Sequence, residues 1–536
     1  MLKFSAHRYP YASRRQSVFA RRGMVAASQP LAAEAGIEIM RRGGNAIDAA
    51  IATAAALTVV EPTGCGIGGD AFALVWVKGL LHGLDASGHA PAALNIDAVK
   101  AAGHSEMPLY GWTPVTVPGC PAAWAALSKR FGRLPFAELL QPAISLATEG
   151  FPLSPIVAQQ WQSAFNDFSE HRQPALQAWF DTFLIDGRVP RAGELFRNPA
   201  QARTLSELAD TGCESFYRGN IAQRIDRQSR ADGGYLRLAD LQQYQARWVD
   251  PIRLDYRGYD IWEIPPSGQG LVALMTLQIL QGFDFDQRDS LQTWHRQIEA
   301  MKLAYSDGLH HITDPEHMRV AVNDLLSESY AGQRRALIGD TAIAPQPGDP
   351  KASGTVYIAT ADAEGNMVSF IQSNYHGFGS GVVVPDSGIA LQNRGQEFSL
   401  DPQHANALAA GKKTFHTIIP GFISKAGKPV GPFGVMGGYM QPQGHVQMVM
   451  NLIDFDLNPQ AALDAPRWQW MGGKKVGIEQ SAPQDLAAAL KHRGHDVQIA
   501  CDPIEYGRGQ IIVRDPDSGV LCGGTEPRAD SHIAVW

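Results

Sequence analysis

The clearest alternation along the chain begins at residue 354. Gly354-Thr355-Val356-Tyr357-Ile358-Ala359-Thr360-Ala361-Asp362 mixes β-branched, aromatic and small residues, then runs into Ala363-Glu364-Gly365-Asn366. The pattern predicts a strand, a two-residue hairpin turn at Gly365-Asn366 or just before it, and a second strand opening Met367-Val368-Ser369-Phe370. Earlier in the chain, Leu31 to Arg42 has helical periodicity and stops at Gly43-Gly44. Asn45 can then cap a small-residue helix through Val59 that is apolar nearly all round. This helix contains Asp48 and is shorter than the roughly 20 residues a membrane span needs, so it is expected as a buried core helix. Cys65-Gly66-Ile67-Gly68-Gly69 invites a dinucleotide reading, but that fingerprint needs a strand before and a helix after. Here the helix comes first and Ala71-Phe72-Ala73-Leu74-Val75-Trp76 is the strand, so the reading is rejected.

Residues 120–250 read as helix-rich, with Pro118-Gly119 and Pro152 to Pro155 as breakers, and Leu291 to His310 continues as a long helix. His310-His311 at its end has no HExxH motif, cysteine cluster or spaced carboxylate beside it. The pair reads as helix-end histidines, and neither metal nor cofactor is expected. Asp340 to Gly354 holds Pro345, Pro347, Gly348 and Pro350 and reads as a mobile linker. Beyond it the pattern is strand-rich, with helices near 442–455, 459–465 and 483–493. Gly434-Val435-Met436-Gly437-Gly438-Tyr439 follows a strand pattern and an expected Pro-Phe turn.

Composition narrows the class. A chain of 536 residues with 45% hydrophobic and 18% charged residues can bury a large core. Its formal net charge of −7 argues against nucleic acid as a partner. Met1 to Gln16 has no apolar stretch of the secretory kind. Residues 1–33 lack any acid and carry Arg8, Arg14, Arg15, Arg21 and Arg22, which faintly resembles a mitochondrial transit peptide; a surface arm is the plainer reading. Five cysteines (Cys65, Cys120, Cys213, Cys501, Cys522), odd in number and without CxxC spacing, suit a reducing cytoplasm, the expected location, away from any membrane.

The candidate chemistry starts at Thr355. Cutting the Gly354-Thr355 bond would free an α-amine beside the threonine hydroxyl, and that amine can serve as the base that activates it. Ser373 falls on the second strand, opposite the first, where its hydroxyl could bond to Thr355. Gly437-Gly438 leaves backbone N–H groups unobstructed, as an oxyanion hole requires; alternatively the pair simply starts the following helix.

Many stretches resemble the γ-glutamyltranspeptidase family of N-terminal-nucleophile hydrolases, in the same order over nearly the whole chain. They include Gly43-Gly44-Asn45-Ala46-Ile47-Asp48-Ala49-Ala50, Val60-Glu61-Pro62 with Gly66-Ile67-Gly68-Gly69, Val117-Pro118-Gly119 and Gln141-Pro142-Ala143. Asp255-Tyr256-Arg257-Gly258-Tyr259, Pro265-Pro266-Ser267, Gly379-Ser380-Gly381, Ala465-Pro466-Arg467 and Glu526-Pro527-Arg528 continue the likeness. The resemblance implies a four-layer αββα sandwich and a proenzyme that cuts itself between Gly354 and Thr355. Residues 1–354 would form a large subunit, with 340–354 as its mobile tail, and 355–536 a small one that carries the nucleophile. The two stay paired, and a dimer of such heterodimers remains open.

The departures from the family pattern bear on substrate. The segment in which the family grips the glutamyl α-carboxylate with an arginine reads Asp85-Ala86-Ser87-Gly88-His89-Ala90-Pro91, so Ser87 replaces that arginine. A serine cannot supply a charged, bidentate fork. The family's Asn-Asn-Gln-Met-Asp-Asp becomes Gln392-Asn393-Arg394-Gly395-Gln396-Glu397, which brings an arginine to the small-subunit wall. Glu397 stands where an aspartate normally holds the substrate amine, and His416-Thr417 replaces a Ser-Ser pair. Glu397 is therefore expected to pair with Arg394 or another cation, or to point away. Thr355 is expected as nucleophile, Ser373 to orient it, Gly437 and Gly438 to stabilise the oxyanion, and Arg394 to bind a substrate carboxylate, with His416 and Thr417 lining the pocket. Within the family these segments look most like the oxamate amidohydrolases of purine and ureide catabolism, which implies hydrolysis of a small anionic amide to oxalate and ammonia. A γ-glutamyl hydrolase or transferase, and an uncleaved binding homologue, are the alternatives.

Overall fold

Residues 15–345, 354–500 and 502–536 are described by the computed structural model. Arg8, Arg14, residues 346–353 of the expected linker, and Cys501 lie outside the described residues. Asn45 opens the second helix as expected: its side chain accepts from the Ile47 and Asp48 amides, and Asp48 accepts in return from the Asn45 amide at 3.0 Å. Asp48 also takes the Arg133 and Leu134 amides. The one acid in an otherwise apolar helix, Ala46–Val60, is thereby satisfied, and every residue of that helix is buried.

Two seven-stranded sheets form the middle of the molecule, and every neighbouring pair in them is antiparallel. The first sheet runs His532–Val535, Gly23–Ala27, Gly354–Asp362, Met367–Tyr375, Asp70–Val77, Leu80–Ala86 and Arg247–Val249. The facing sheet runs Val18–Ala20, Leu521–Thr525, Arg508–Arg514, Lys428–Met436, Gly421–Lys425, Tyr259–Glu263 and Ile252–Tyr256. Helices Pro30–Arg41 and Ala46–Val60 cover the outer face of the first, and Gly270–Leu280, Leu291–His311 and Gln441–Ile453 lie outside the second. The result is the αββα sandwich. Among the described residues no helix is long and apolar enough to cross a membrane.

From Thr355 to Asp362 the strand is buried on both faces, so its hydroxyls and its terminal carboxylate must find partners inside the protein. Thr360 Oγ1 donates to Ala46 O at 2.7 Å on the helix side. On the other face, Tyr357 lies against the facing sheet, where Gly434 leaves it room: a Cβ there would meet the Tyr357 ring at 2.4 Å. Trp76 stacks on Phe422 across the same interface, with ring centroids 5.7 Å apart.

Two local expectations are corrected. The hairpin loop is Ala363–Gly365, closed by Asp362 N donating to Asn366 O at 3.1 Å, and so is one residue longer than expected. The Asp362 carboxylate accepts from the Glu364 and Asn366 amides, and Gly365 takes φ 84°, the geometry of a three-residue loop. The Pro432-Phe433 pair makes no turn but lies inside the strand Lys428–Met436, paired to Phe422 and Gly421.

Gly434→Ala should cost about 1–3 kcal/mol by overpacking the sheet interface, read as a shift in the denaturant midpoint. Adding Tyr357→Val, which removes the ring, should return most of that loss. If the second change recovers nothing, the glycine is not there to let the ring approach.

Candidate active site

Thr355 is fully buried between the sheets. The ladder register shifts between Gly354 and Val356, so Thr355 sits at an irregularity of the kind found beside active sites. Its Oγ1 lies 3.1 Å from Ser373 Oγ, and Gln441 Nε2 donates to it at 3.4 Å. Gln441 is held in turn by the Ile419 amide, which donates to its Oε1 at 2.9 Å.

The turn ending the strand Lys428–Met436 carries Gly437 at φ 134° and Gly438 at φ 56°, conformations that strain any side chain. Gly437 O accepts from Met440 N at 3.0 Å. Because the peptide is trans, the Gly438 N–H points the opposite way. Gly438 O accepts from the Gln441 amide and from Gln269 Nε2 at 2.8 Å.

Arg394 lies in a 3-10 turn, Arg394–Glu397, and is 1% exposed. Nη1 donates to Thr417 Oγ1 at 2.8 Å, and the guanidinium lies 4.0 Å from the Tyr375 ring centroid. Nε and Nη2 have no hydrogen-bond partner among the described residues. Burial pulls the Arg394 pKa below its usual value, opposed by Tyr375, Asp70 and Glu397. Tyr375 reaches over it from a backbone φ of 75°, uncommon for a bulky residue. Glu397 accepts from the Tyr375 and Tyr439 hydroxyls, the second at 2.6 Å. Neutral phenol donors were missing from the sequence expectation for this acid. They satisfy a carboxylate without bringing a second charge.

His416 is fully buried and edge-on to Phe72. Burial, then Arg394 and Lys413, hold its pKa well below the usual histidine range, so the ring is neutral. The Ile418 amide donates to Nδ1 at 3.3 Å, which leaves the proton on Nε2 to donate to Asp70 Oδ2 at 3.1 Å. Asp70 pairs with Ser373 across adjacent strands, and its Oδ1 has no partner among the described residues. Burial pushes its carboxyl up to about 7, with Arg394 opposing. Ser87 is turned elsewhere: its hydroxyl donates to Asp85 Oδ1 at 2.6 Å, while Lys413 binds the other oxygen of Asp85.

The structure therefore gathers Thr355, Ser373, Gly438, Arg394, His416, Thr417 and Glu397 into one linked cluster and leaves the Ser87 hydroxyl out of it. Sequence reasoning missed Asp70, Gln269, Tyr375, Tyr439 and Gln441. Asp70 directly follows the glycine run Gly66 to Gly69, and Tyr439 directly follows Gly438, so adjacency was the available signal for both. Among the described residues, His295, Glu299 and His495 are grouped closely enough for a metal. Lys302 Nζ already donates to Glu299 Oε1 at 2.7 Å and lies 3.3 Å from His495 Nδ1, so an ammonium holds that place.

A family model described as gamma-glutamyltranspeptidase matches residues 32–536. The chain belongs to the γ-glutamyltranspeptidase family. It is an amide hydrolase of the N-terminal-nucleophile class. The oxamate amidohydrolase proenzyme of Klebsiella pneumoniae is 38% identical over 529 residues, covering 96% of this chain and 98% of that one. The glutathione hydrolase-like YwrD proenzyme of Bacillus subtilis is 36% identical over 523 residues, with 96% and 98% covered. A crystal structure of cephalosporin acylase from Bacillus halodurans matches with TM-score 0.97 and 58% identity, covering 100% of this chain and 99% of that one. Relatives described as proenzymes imply processing into two subunits that stay associated.

Asp70 gives this family member a testable signature. Its folded pKa of about 7 exceeds the roughly 3.9 of an unfolded aspartate, so between those values the folded state holds a proton the unfolded chain releases. Stability from this group is complete below the lower value and is lost as pH rises through the upper one. Asp70→Asn removes that loss, so its thermal midpoint should gain on the wild type as pH rises from about 5 to about 8. An offset that does not change with pH would show that Asp70 does not titrate in this window.

Proposed function

We propose that this protein cleaves itself between Gly354 and Thr355 and then hydrolyses amides whose acyl group bears a carboxylate, oxamate foremost. The observation that carries the reading is Arg394, a buried guanidinium with two donors unspent beside the Thr355 cluster. Buried donors without acceptors are costly, and a substrate carboxylate offers the planar, two-oxygen partner they lack. The 38% identical oxamate amidohydrolase supports oxamate as the acid amide. A second reading, a bulkier carboxylated acyl amide, is favoured by the 58% identical chain described as a cephalosporin acylase. A γ-glutamyl substrate is disfavoured because the Ser87 hydroxyl is spent on Asp85 and both tyrosine hydroxyls are spent on Glu397.

In self-cleavage the Thr355 hydroxyl attacks the Gly354 carbonyl carbon, the peptide C–N bond breaks, and water hydrolyses the resulting ester. This leaves a Gly354 carboxylate and a free Thr355 amine. In turnover that amine takes the Oγ1 proton as Oγ1 adds to the substrate amide carbon. Gly437 and Gly438 N–H groups stabilise the oxyanion, Ser373 orients the hydroxyl, and Arg394 holds the carboxylate. The proton passes to the departing nitrogen, which leaves as ammonia. Water, activated by the same amine, then cleaves the oxalyl ester to oxalate. The neutral His416 serves as a wall and as the donor that fixes Asp70. Metal takes no part in these steps.

Two outcomes test the reading. The small fragment should begin Thr-Val-Tyr on amino-terminal sequencing, and Thr355→Ala should run as one chain near 58.0 kDa; any other start refutes Thr355 as nucleophile. With oxamate, Arg394→Ala should lower kcat/KM by about ten- to a hundredfold or more, and Arg394→Lys should restore only part. Unchanged ammonia release from Arg394→Ala would place the carboxylate elsewhere, and faster glutamate release from glutathione than ammonia from oxamate would overturn the substrate.

A further inference from the structure

We infer that Gln269 is the positioning residue that sets the distance between the carboxylate anchor and the oxyanion turn, and so sets the length of acyl group the enzyme turns over. The inference rests on the reading of the site proposed above. Gln269 follows Pro265-Pro266-Ser267-Gly268, immediately before the helix Gly270–Leu280, and is fully buried. Its backbone joins a short ladder with the pocket wall: His416 N donates to Ser267 O at 2.9 Å, and Gln269 N donates to His416 O at 2.9 Å. From there its side chain bridges two parts of the site. Nε2 donates to Thr417 O at 2.5 Å and to Gly438 O at 2.8 Å. Oε1 lies 3.0 Å from the Tyr305 hydroxyl, whose single proton also faces Tyr439 O at 2.5 Å. Two carbonyls demand the donors of Nε2, so the amide has a single workable orientation.

This places Gln269 in a chain of contacts with no slack. Arg394 Nη1 is bonded to Thr417 Oγ1, Thr417 O to Gln269, and Gln269 to Gly438 O. A substrate held by Arg394 must present its carbonyl to Thr355 and to the turn at the same time. The separation of the two anchors therefore selects the number of carbons between carboxylate and scissile carbonyl. Misplacement by about 1 Å is enough to cost a hundredfold in rate. Gln269 binds carbonyl oxygens, not substrate, so its removal should act on turnover more than on affinity.

The test uses the full-length, self-processed protein and the series oxamate, malonamate, succinamate and glutaramate, scored by ammonia release per processed chain. Gln269→Glu keeps the shape but sets a carboxylate against two carbonyls. Its kcat on the best wild-type substrate should fall about 100-fold with KM within threefold. The deficit relative to wild type should shrink as pH is lowered, because the protonated acid regains one donor. Gln269→Met, uncharged and of similar length, should lose about tenfold in kcat at every pH and flatten the preference along the series. In both variants, amide hydrogen exchange at 437–443 should quicken, a readout that needs no turnover. Unchanged exchange there, or kcat within twofold of wild type, overturns the inference; so does a loss confined to the processed fraction or to thermal stability. Wild-type protein inactive on the whole series would instead refute the carboxylated-amide reading, and exchange at 437–443 alone would then decide the role of Gln269.

Discussion

The close contact of two antiparallel sheets governs the rest of this structure. Thr355 lies near the start of a strand whose inner face meets the facing sheet through Tyr357 and Gly434, so its hydroxyl is met by groups the sandwich itself delivers. Ser373 comes from the neighbouring strand, and Gln441 and the Gly437-Gly438 turn come from the end of a strand in the facing sheet and the helix after it. A loop-borne site could tolerate a shifted layer. This one cannot, because Thr355 and the Gly437-Gly438 turn belong to different sheets whose spacing is set by packed side chains.

Burial also determines the charge balance of the pocket. Arg394 is shielded by an aromatic face and one threonine hydroxyl, leaving its fork unmet. Around it the acids are quieted in two different ways. Asp70 is raised by burial until it titrates near neutrality, and Glu397 is given two phenol donors. His416 is kept neutral by burial first, and then by the same arginine and Lys413. The cluster thus sets a buried guanidinium among anions whose charge is muted.

What the sequence revealed follows from how local each signal is. The strand at Thr355 was readable because a β-branched and aromatic run ends in an acidic Gly-Asn turn signal, and the helix at Asn45 because its cap is a contact between near neighbours. Ser373 followed from counting around a hairpin, even though the loop proved one residue longer. Pro432 misled because proline usually breaks a strand, whereas here it lies within one beside a register shift. Asp70 had only its place after a glycine run as a signal, and Gln269 and Tyr305 left none of their own. Each meets the site only through the crossing of distant strands and helices, which no window of sequence contains. Tyr375 hid for another reason: its reach over Arg394 depends on a backbone conformation that its residue type rarely adopts.

The interleaving of the strands explains how such a site could survive a cut before Thr355. In the first sheet, Gly354–Asp362 lies between Gly23–Ala27 on one side and Met367–Tyr375 on the other, and the latter is flanked by Asp70–Val77. In the facing sheet, Gly421–Lys425 pairs with Tyr259–Glu263. Two pieces divided at residue 354 would therefore share both sheets, and separating them would break main-chain ladders and expose the core. The functional cluster is divided in the same way, with Asp70, Gln269 and Tyr305 from the first piece and Thr355, Arg394 and Gly438 from the second. A cut there would free one chain end without releasing a subunit, which is what a mechanism based on a terminal amine requires of its scaffold.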